Sequence, residues 1–166
     1  MNNEHNVDLT DIFNQFGKMV YRLAFIQMKT KEQAEDILQD VFLRLIENGK
    51  VFENDEHLKA WLLKTTINCC KDYWKSAWFK RRVSLEEAPE ISTHMPRSTN
   101  GIITECVKKL PAKYRYIIHL YYYEEYSLKE IADILSINEN TVRTRISRGR
   151  QLLKKYLGKE ADNYEF

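Results

Sequence analysis

Apolar residues recur along most of this chain at three- and four-residue steps, the spacing that gathers them on one side of an α-helix. Ile12, Phe13, Phe16, Met19, Val20, Leu23 and Ile26 predict a helix over residues 10–28. Ala34, Ile37, Leu38, Val41, Phe42, Leu45 and Ile46 form a cleaner stripe over 31–47, with Glu32, Glu35, Asp36, Gln39, Asp40 and Arg44 on the remaining surface. Asn48-Gly49 stops that helix, since both residues tolerate a left-handed cap, and 50–56 reads as a loop. A third helix is predicted from about His57 to Phe79, with Leu58, Trp61, Leu62 and Tyr73 facing inward. Residues 83–100, VSLEEAPEISTHMPRSTN, then break the pattern: they hold two of the three prolines and no sustained period, as a linker does. Fully extended, such a segment reaches roughly 60 Å, enough for two domains to occupy distant sites on one large partner. Periodicity resumes over Ile102–Leu110, and Pro111 is expected to open the next helix at its first turn, running to about Tyr123. Two further helices follow, and 159–166 reads as a frayed tail. The expected fold is all-α: two small helical domains, 8–82 and 101–158, joined by a flexible linker at 83–100.

The sharpest local pattern is SLKEIADILSINENTVRTRISRGRQLLKKY, residues 127–156. Ser127 and Glu130 have capping-box spacing, in which each side chain satisfies a free backbone amide of the other. Leu128, Ile131, Ala132 and Leu135 give the short first helix an apolar face, Ser136-Ile137-Asn138 forms the turn with Ile137 plugging the corner, and Asn138 caps the second helix. Val142, Ile146, Gly149, Leu153 and Tyr156 then repeat at alternating steps of four and three, while Glu139, Asn140, Thr141, Arg143, Thr144, Ser147 and Arg148 are left for the other side. That is a helix-turn-helix whose second helix enters the DNA major groove. Residues at its start would touch base edges, and the arginines further along would hold phosphates or guanines.

Charge strengthens this reading. The net charge of +2 conceals two basic stretches: residues 57–82 carry +6 and residues 139–160 carry +5, against −5 for residues 1–56. Two separated cationic segments imply two places where polyanion is held, and the acidic first third should face something else. Within the first basic stretch Lys64, Asn68, Lys71 and Lys75 share one face, bordered by Asp72, with Trp74, Trp78 and Phe79 nearby and Lys80-Arg81-Arg82 following. A cationic surface interleaved with aromatics suits single-stranded DNA, where bases stack on rings and phosphates meet lysines. An amide such as Asn68 can also pair with the edge of an unstacked base. The pattern equally allows Trp61, Trp74 and Trp78 as core residues above a solvated row of lysines, and the sequence leaves both readings open. The acidic helix 32–47, taken alone, is an ordinary amphipathic helix.

Read in order, these segments resemble one family. Asp36-Ile-Leu-Gln39-Asp40-Val-Phe42-Leu-Arg-Leu is similar to the second-region signature of the sigma-70 family of bacterial RNA polymerase sigma factors. Trp61-Leu-Leu-Lys-Thr-Thr-Ile-Asn68 resembles its promoter-melting region, and 101–156 resembles the fourth-region module. The short linker and the lack of the additional domains of housekeeping members resemble the extracytoplasmic-function (ECF) group. The resemblance implies that Asp36, Gln39, Asp40 and Phe42 bind the clamp helices of the polymerase largest subunit. It implies that Asn68 captures a flipped base of the −10 element and that Lys64, Lys71 and Lys75 line the same strand. It places the recognition helix from Glu139 on the −35 element and the stretch Tyr114 to Tyr126 near the flap of the second-largest subunit. It also implies an anti-sigma protein as partner. Asp40 stands where many members have Glu, which keeps the charge; Cys69-Cys70 and the Trp74, Trp78, Phe79 cluster are not part of the family pattern.

Other classes find little support. His5, His57, His94 and His119 are scattered without metal spacing, and no Gly-rich phosphate loop is present, so neither cofactor nor catalytic centre is expected. Cys69, Cys70 and Cys106 do not suggest a disulfide framework, the polar start does not read as a signal peptide, and no apolar run reaches membrane length, so a cytoplasmic protein is expected. A free-standing helix-turn-helix repressor or activator would explain the second domain but neither the linker nor the first basic surface.

Overall fold

The computed structural model describes residues 8–83 and 99–162. They form α1 (Leu9–Gln27), α2 (Lys31–Asn48), α3 (Asp55–Val83), α4 (Thr99–Lys109), α5 (Ala112–Ile118), α6 (Leu128–Leu135) and α7 (Glu139–Asp162), with a π-helical turn, His119–Tyr123, continuing α5. Among the described residues there is no strand, and no helix is long and apolar enough to cross a membrane. The expected linker falls largely at 84–98, outside the described residues. The helices belong to two compact units, one holding α1 as far as Phe25 with α2 and α3, the other holding α4–α7 together with Ile26–Thr30.

Helix boundaries follow local chemistry. Asp8 Oδ1 accepts from the Thr10 amide at 3.0 Å and Asn54 Oδ1 from the His57 amide at 2.8 Å, so each side chain satisfies a donor that a helix start leaves open. The Asn54 cap starts α3 two residues ahead of the expected His57. Gly49, at φ +59°, closes α2 in the left-handed conformation expected of it. Pro111 is the N-cap of α5, with ψ 142°, rather than a residue of its first turn. The supposed frayed tail is helical as far as Asp162.

In the first unit Val20, Leu23, Ala34, Ile37, Val41, Leu62, Leu63 and Ile67 are almost fully buried. Thr66 is buried too, and its own hydroxyl is satisfied by donating to the Leu62 carbonyl at 2.7 Å. Cys69 and Cys70 are both in this core, and burial pushes the Cys69 thiol up to about 11, so it is an inert packing residue rather than a nucleophile. Arg44 of α2 and Asp72 of α3 are joined at 3.1 Å on the surface, a link worth at most about 1 kcal/mol at such exposure.

In the second unit Leu110, Tyr114 and Ile118 make a core cluster on which Leu152 and Tyr156 of α7 pack. The sequence predicts an unbroken helix to Tyr123, but the last turn is wide. The Glu124 amide bonds the His119 carbonyl at 3.1 Å, five residues back, as in a π-turn. The wider turn lets His119 stack on Tyr123 with centroids 4.9 Å apart and reach Glu124 at 3.3 Å. Glu125 then takes φ 58°, a strained choice for a residue with a Cβ.

Candidate nucleic-acid and polymerase interfaces

The helix-turn-helix forms as its sequence predicts. Ser127 Oγ accepts from the Glu130 amide at 3.1 Å, and Glu130 Oε2 accepts from the Ser127 amide at 2.8 Å. The bond from the Ser127 amide stabilises the ionised carboxylate and, with the neighbouring Ser127 hydroxyl, holds Glu130 below the usual glutamate range. A group whose pKa is depressed by folding stabilises the fold above its unfolded pKa and loses that contribution as pH falls through the folded value. Ser127→Ala should therefore lower stability by about 1 kcal/mol near neutral pH. The difference from the parent should shrink in urea melts as the pH is taken below the ordinary carboxylate range.

The turn uses Ser136 at φ 54°, with the Ile137 amide returning to the Ala132 carbonyl at 3.0 Å. Ile137 is half-buried at the corner, and Asn138 Oδ1 caps α7 by accepting from the Asn140 amide at 2.7 Å. One side of α7 is buried through Val142, Ile146 and Gly149, which leaves Glu139, Asn140, Arg143, Thr144, Ser147 and Arg148 exposed and Thr141 half-buried at the edge. Three of these side chains are already engaged: Arg143 pairs with Glu139 at 3.4 Å, and the Thr144 hydroxyl donates to the Asn140 carbonyl at 2.9 Å. Arg143 is thus held toward the start of the helix.

On α3, Lys64, Asn68, Lys71 and Lys75 are all exposed along one face. The aromatic residues divide: Trp61 and Trp74 are half-buried, with Trp74 edge-on to Tyr73 at 5.5 Å, whereas Trp78 and Phe79 are exposed. Phe52 anchors the α2–α3 loop by edge contacts with His57 at 5.5 Å and Trp61 at 5.6 Å. Between the end of α2 and α3 lies a cleft of about 310 Å³ lined by Arg44, Glu47, Asn48, Trp61, Thr65 and Asn68. The side-chain amide nitrogen of Asn48 is buried there without a hydrogen-bond partner. An orphaned donor of this kind is costly until a ligand acceptor meets it. The sequence marked Asn68 but not this cleft, because the cleft exists only once α2 and α3 are packed.

Asp36, Gln39 and Asp40 are exposed along α2. Phe42 is not: it is only 7% exposed and meets Phe13 edge-on at 5.0 Å, so the helical period puts it on the core stripe, beneath any docking face. Arg44, also expected on the polar face, is held by Asp72. Conversely Leu43 and Ile46 are exposed, although the stripe assigned Ile46 to the core. Leu43 follows Asp36 by seven residues and Gln39 by four, which places an aliphatic side chain in the middle of the polar face.

Comparison with known proteins accords with this geometry. Residues 12–80 match the family described as Sigma-70 region 2, and residues 100–153 match Sigma-70, region 4. The chain is 32% identical over 164 residues to the ECF RNA polymerase sigma factor SigW of Bacillus subtilis, a match covering 89% of this chain and 87% of that protein. It is also 32% identical over 142 residues to the RNA polymerase sigma factor SigV of the same organism, covering 84% and 85%. Among solved structures, the sigma factor RpoE in complex with the anti-sigma factor NepR from Bartonella quintana shares the fold with a TM-score of 0.79 at 21% identity, over 91% of this chain and 97% of that one. With both of the family's regions present in order and a relative matched along most of its length, this chain belongs to the sigma-70 family, in its ECF group.

Proposed function

We propose that this chain binds core RNA polymerase, directs it to promoters through the −35 and −10 elements, and drives opening by trapping one DNA strand. The observation that carries this reading is the presence, in one chain, of a capped helix-turn-helix with exposed Asn140, Arg143, Ser147 and Arg148 and of a separate helix exposing Lys64, Asn68, Lys71 and Lys75 beside a cleft. The first suits duplex, since a helix in the major groove reads paired bases. The second suits an unpaired strand.

On this reading Glu139, Asn140, Thr141, Arg143, Thr144, Ser147 and Arg148 contact the −35 duplex. Asn68 holds a base flipped from the −10 element, and that base supplies the acceptor that Asn48 lacks. Lys64, Lys71 and Lys75 hold the adjoining phosphates. Flipping costs a few kcal/mol, and stacking of about 1–3 kcal/mol per base offsets it. Work is done by binding, without covalent chemistry. Asp36, Gln39, Asp40 and the exposed Leu43 dock on the clamp helices, with Phe42 supporting them from beneath. Of the stretch Tyr114 to Tyr126, the exposed Tyr122 and Tyr123 are the rings placed to meet the polymerase flap, since Tyr114, Tyr116 and Tyr126 are core. An anti-sigma protein is the expected regulator, as the RpoE–NepR complex illustrates for that relative. The site of action is the cytoplasm.

Asn68→Ala tests the division of labour. Binding to core and to closed duplex should stay within about twofold of the parent. Strand opening, read by permanganate reactivity of unpaired thymines, should fall about tenfold, the equivalent of one lost base contact. An equal loss of closed binding and opening would remove Asn68 from this role.

A further inference from the structure

Two large rings on α3 lie outside both the core and the strand contacts described above. Trp78 is 60% exposed and Phe79 is 67% exposed. Trp78 follows Lys71 by seven residues and Lys75 by three, and Phe79 follows Lys75 by four and Asn68 by eleven. These are same-face spacings, so the pair prolongs the stripe that carries Lys64 and Asn68. Trp74 does not belong to it, being half-buried against Tyr73. Lys75 and Lys80 are exposed beside the pair, and the segment from 57 to 82 carries a net charge of +6.

Adjacent exposed aromatics ringed by cations suit a ligand that is flat, π-faced and anionic. Unpaired bases on a phosphate backbone have all three properties. An apolar protein surface would leave the surrounding lysines desolvated and unpaired, and an acidic one would offer nothing flat to stack on the rings. We propose that Trp78 and Phe79 form a second stacking station for the opened strand, separate from the Asn48–Asn68 cleft. Ten residues of helix separate Asn68 from Trp78, roughly 15 Å at about 1.5 Å per residue. That corresponds to about four nucleotides at a duplex-like rise of about 3.4 Å. The strand is then gripped at two points, and re-pairing requires release from both. The inference rests on the reading of α3 as the helix that holds the opened strand.

The test uses polymerase reconstituted with the full chain and a promoter recovered by run-off transcription. The promoter is built as a closed duplex and as a template whose −10 region is held open by mismatches. Trp78→Ala combined with Phe79→Ala should shorten the heparin-resistant lifetime on the open template by roughly tenfold or more. Closed-duplex binding and thermal melting of the chain should stay unchanged, since both rings are exposed. Trp78→Tyr combined with Phe79→Tyr should restore most of the lifetime. In the parent complex, 2-aminopurine about four positions from the base lost to Asn68→Ala should be quenched, and the double alanine variant should relieve that quenching. A parental lifetime for the double alanine variant, or equal losses on open and closed templates, overturns the second station. If that happens while Asn68→Ala still weakens the open complex, only this inference fails. If Asn68→Ala is silent as well, the strand-holding role of α3 falls with it.

Discussion

Gly149→Leu is expected to unfold the second unit, lowering its stability by about 3 kcal/mol or more. A Cβ at this position would sit 3.0 Å from Ile118 Cγ1, 3.2 Å from Ile118 Cδ1 and 3.3 Å from Tyr114 Cβ. Ile118 and Tyr114 are the cluster on which α7 packs, so neither can move without opening the core. Even Gly149→Ala sets a helix-propensity gain of about 1 kcal/mol against crowding. The further carbons of leucine have no space to enter. A unit of this size has little stability in reserve, so a loss of this magnitude removes the folded recognition helix. Gly158 in the same helix is an internal control: nothing lies within 4 Å of a Cβ there, so Gly158→Ala should be neutral or slightly stabilising. Urea unfolding of the three variants, followed by circular dichroism, should give the order Gly158→Ala, Gly149→Ala, Gly149→Leu. Equal midpoints for Gly149→Leu and the parent would contradict the packing of α7 on α5.

The second large effect is expected at the duplex-reading surface. Arg143→Ala combined with Arg148→Ala should weaken closed-promoter binding of the reconstituted polymerase by roughly a hundredfold, from about 1–3 kcal/mol per arginine. Both side chains are exposed, so the fold should survive. Arg143 also neutralises Glu139 at 3.4 Å, and its removal would leave that carboxylate facing the phosphates alone. Arg143→Ala is therefore expected to be the worse of the two single variants. If the lost contacts are to phosphates, the log–log salt dependence of binding becomes shallower; if they are to guanine edges, discrimination among base substitutions at one position collapses instead. Titrations at several salt concentrations on a panel of promoter variants separate the two. Undiminished affinity at every salt concentration would remove α7 from the duplex.

The sequence made parts of this molecule legible because those parts are governed by local rules. The Ser127–Glu130 box, the left-handed stop at Gly49, the turn at Ser136-Ile137-Asn138 and the Asn138 cap each depend on a few consecutive residues, and each forms as predicted. The stripe of Lys64, Asn68, Lys71 and Lys75 depends only on helical period. What escaped depends on packing or on competition between interactions. Helical period assigns both Phe42 and Ile46 to the apolar stripe of α2; Phe42 is buried against Phe13 as the period requires, and only the fold shows that Ile46, at the edge of the stripe, is exposed. The π-turn at His119–Tyr123 has no sequence signature, because it goes with a ring stack and a buried His119–Glu124 contact that helical period alone does not announce. The Asn48 orphan donor and its cleft are likewise products of α2 meeting α3. The aromatic residues of α3 were ambiguous in the sequence, since a tryptophan on a basic helix serves equally as core or as stacking surface. Burial separates Trp74 from Trp78 and Phe79.

The central claim is that two cationic helical surfaces of one chain grip different parts of one promoter, one paired and one unwound, while polymerase is attached. Run-off transcription on sheared genomic DNA, with purified core polymerase in the presence and absence of this chain, addresses it most directly. The account predicts discrete transcripts that appear only with the chain, from start sites that share two separated sequence elements, together with co-elution of chain and core polymerase. Core polymerase that neither binds the chain nor gains any specific start site from it would contradict the account.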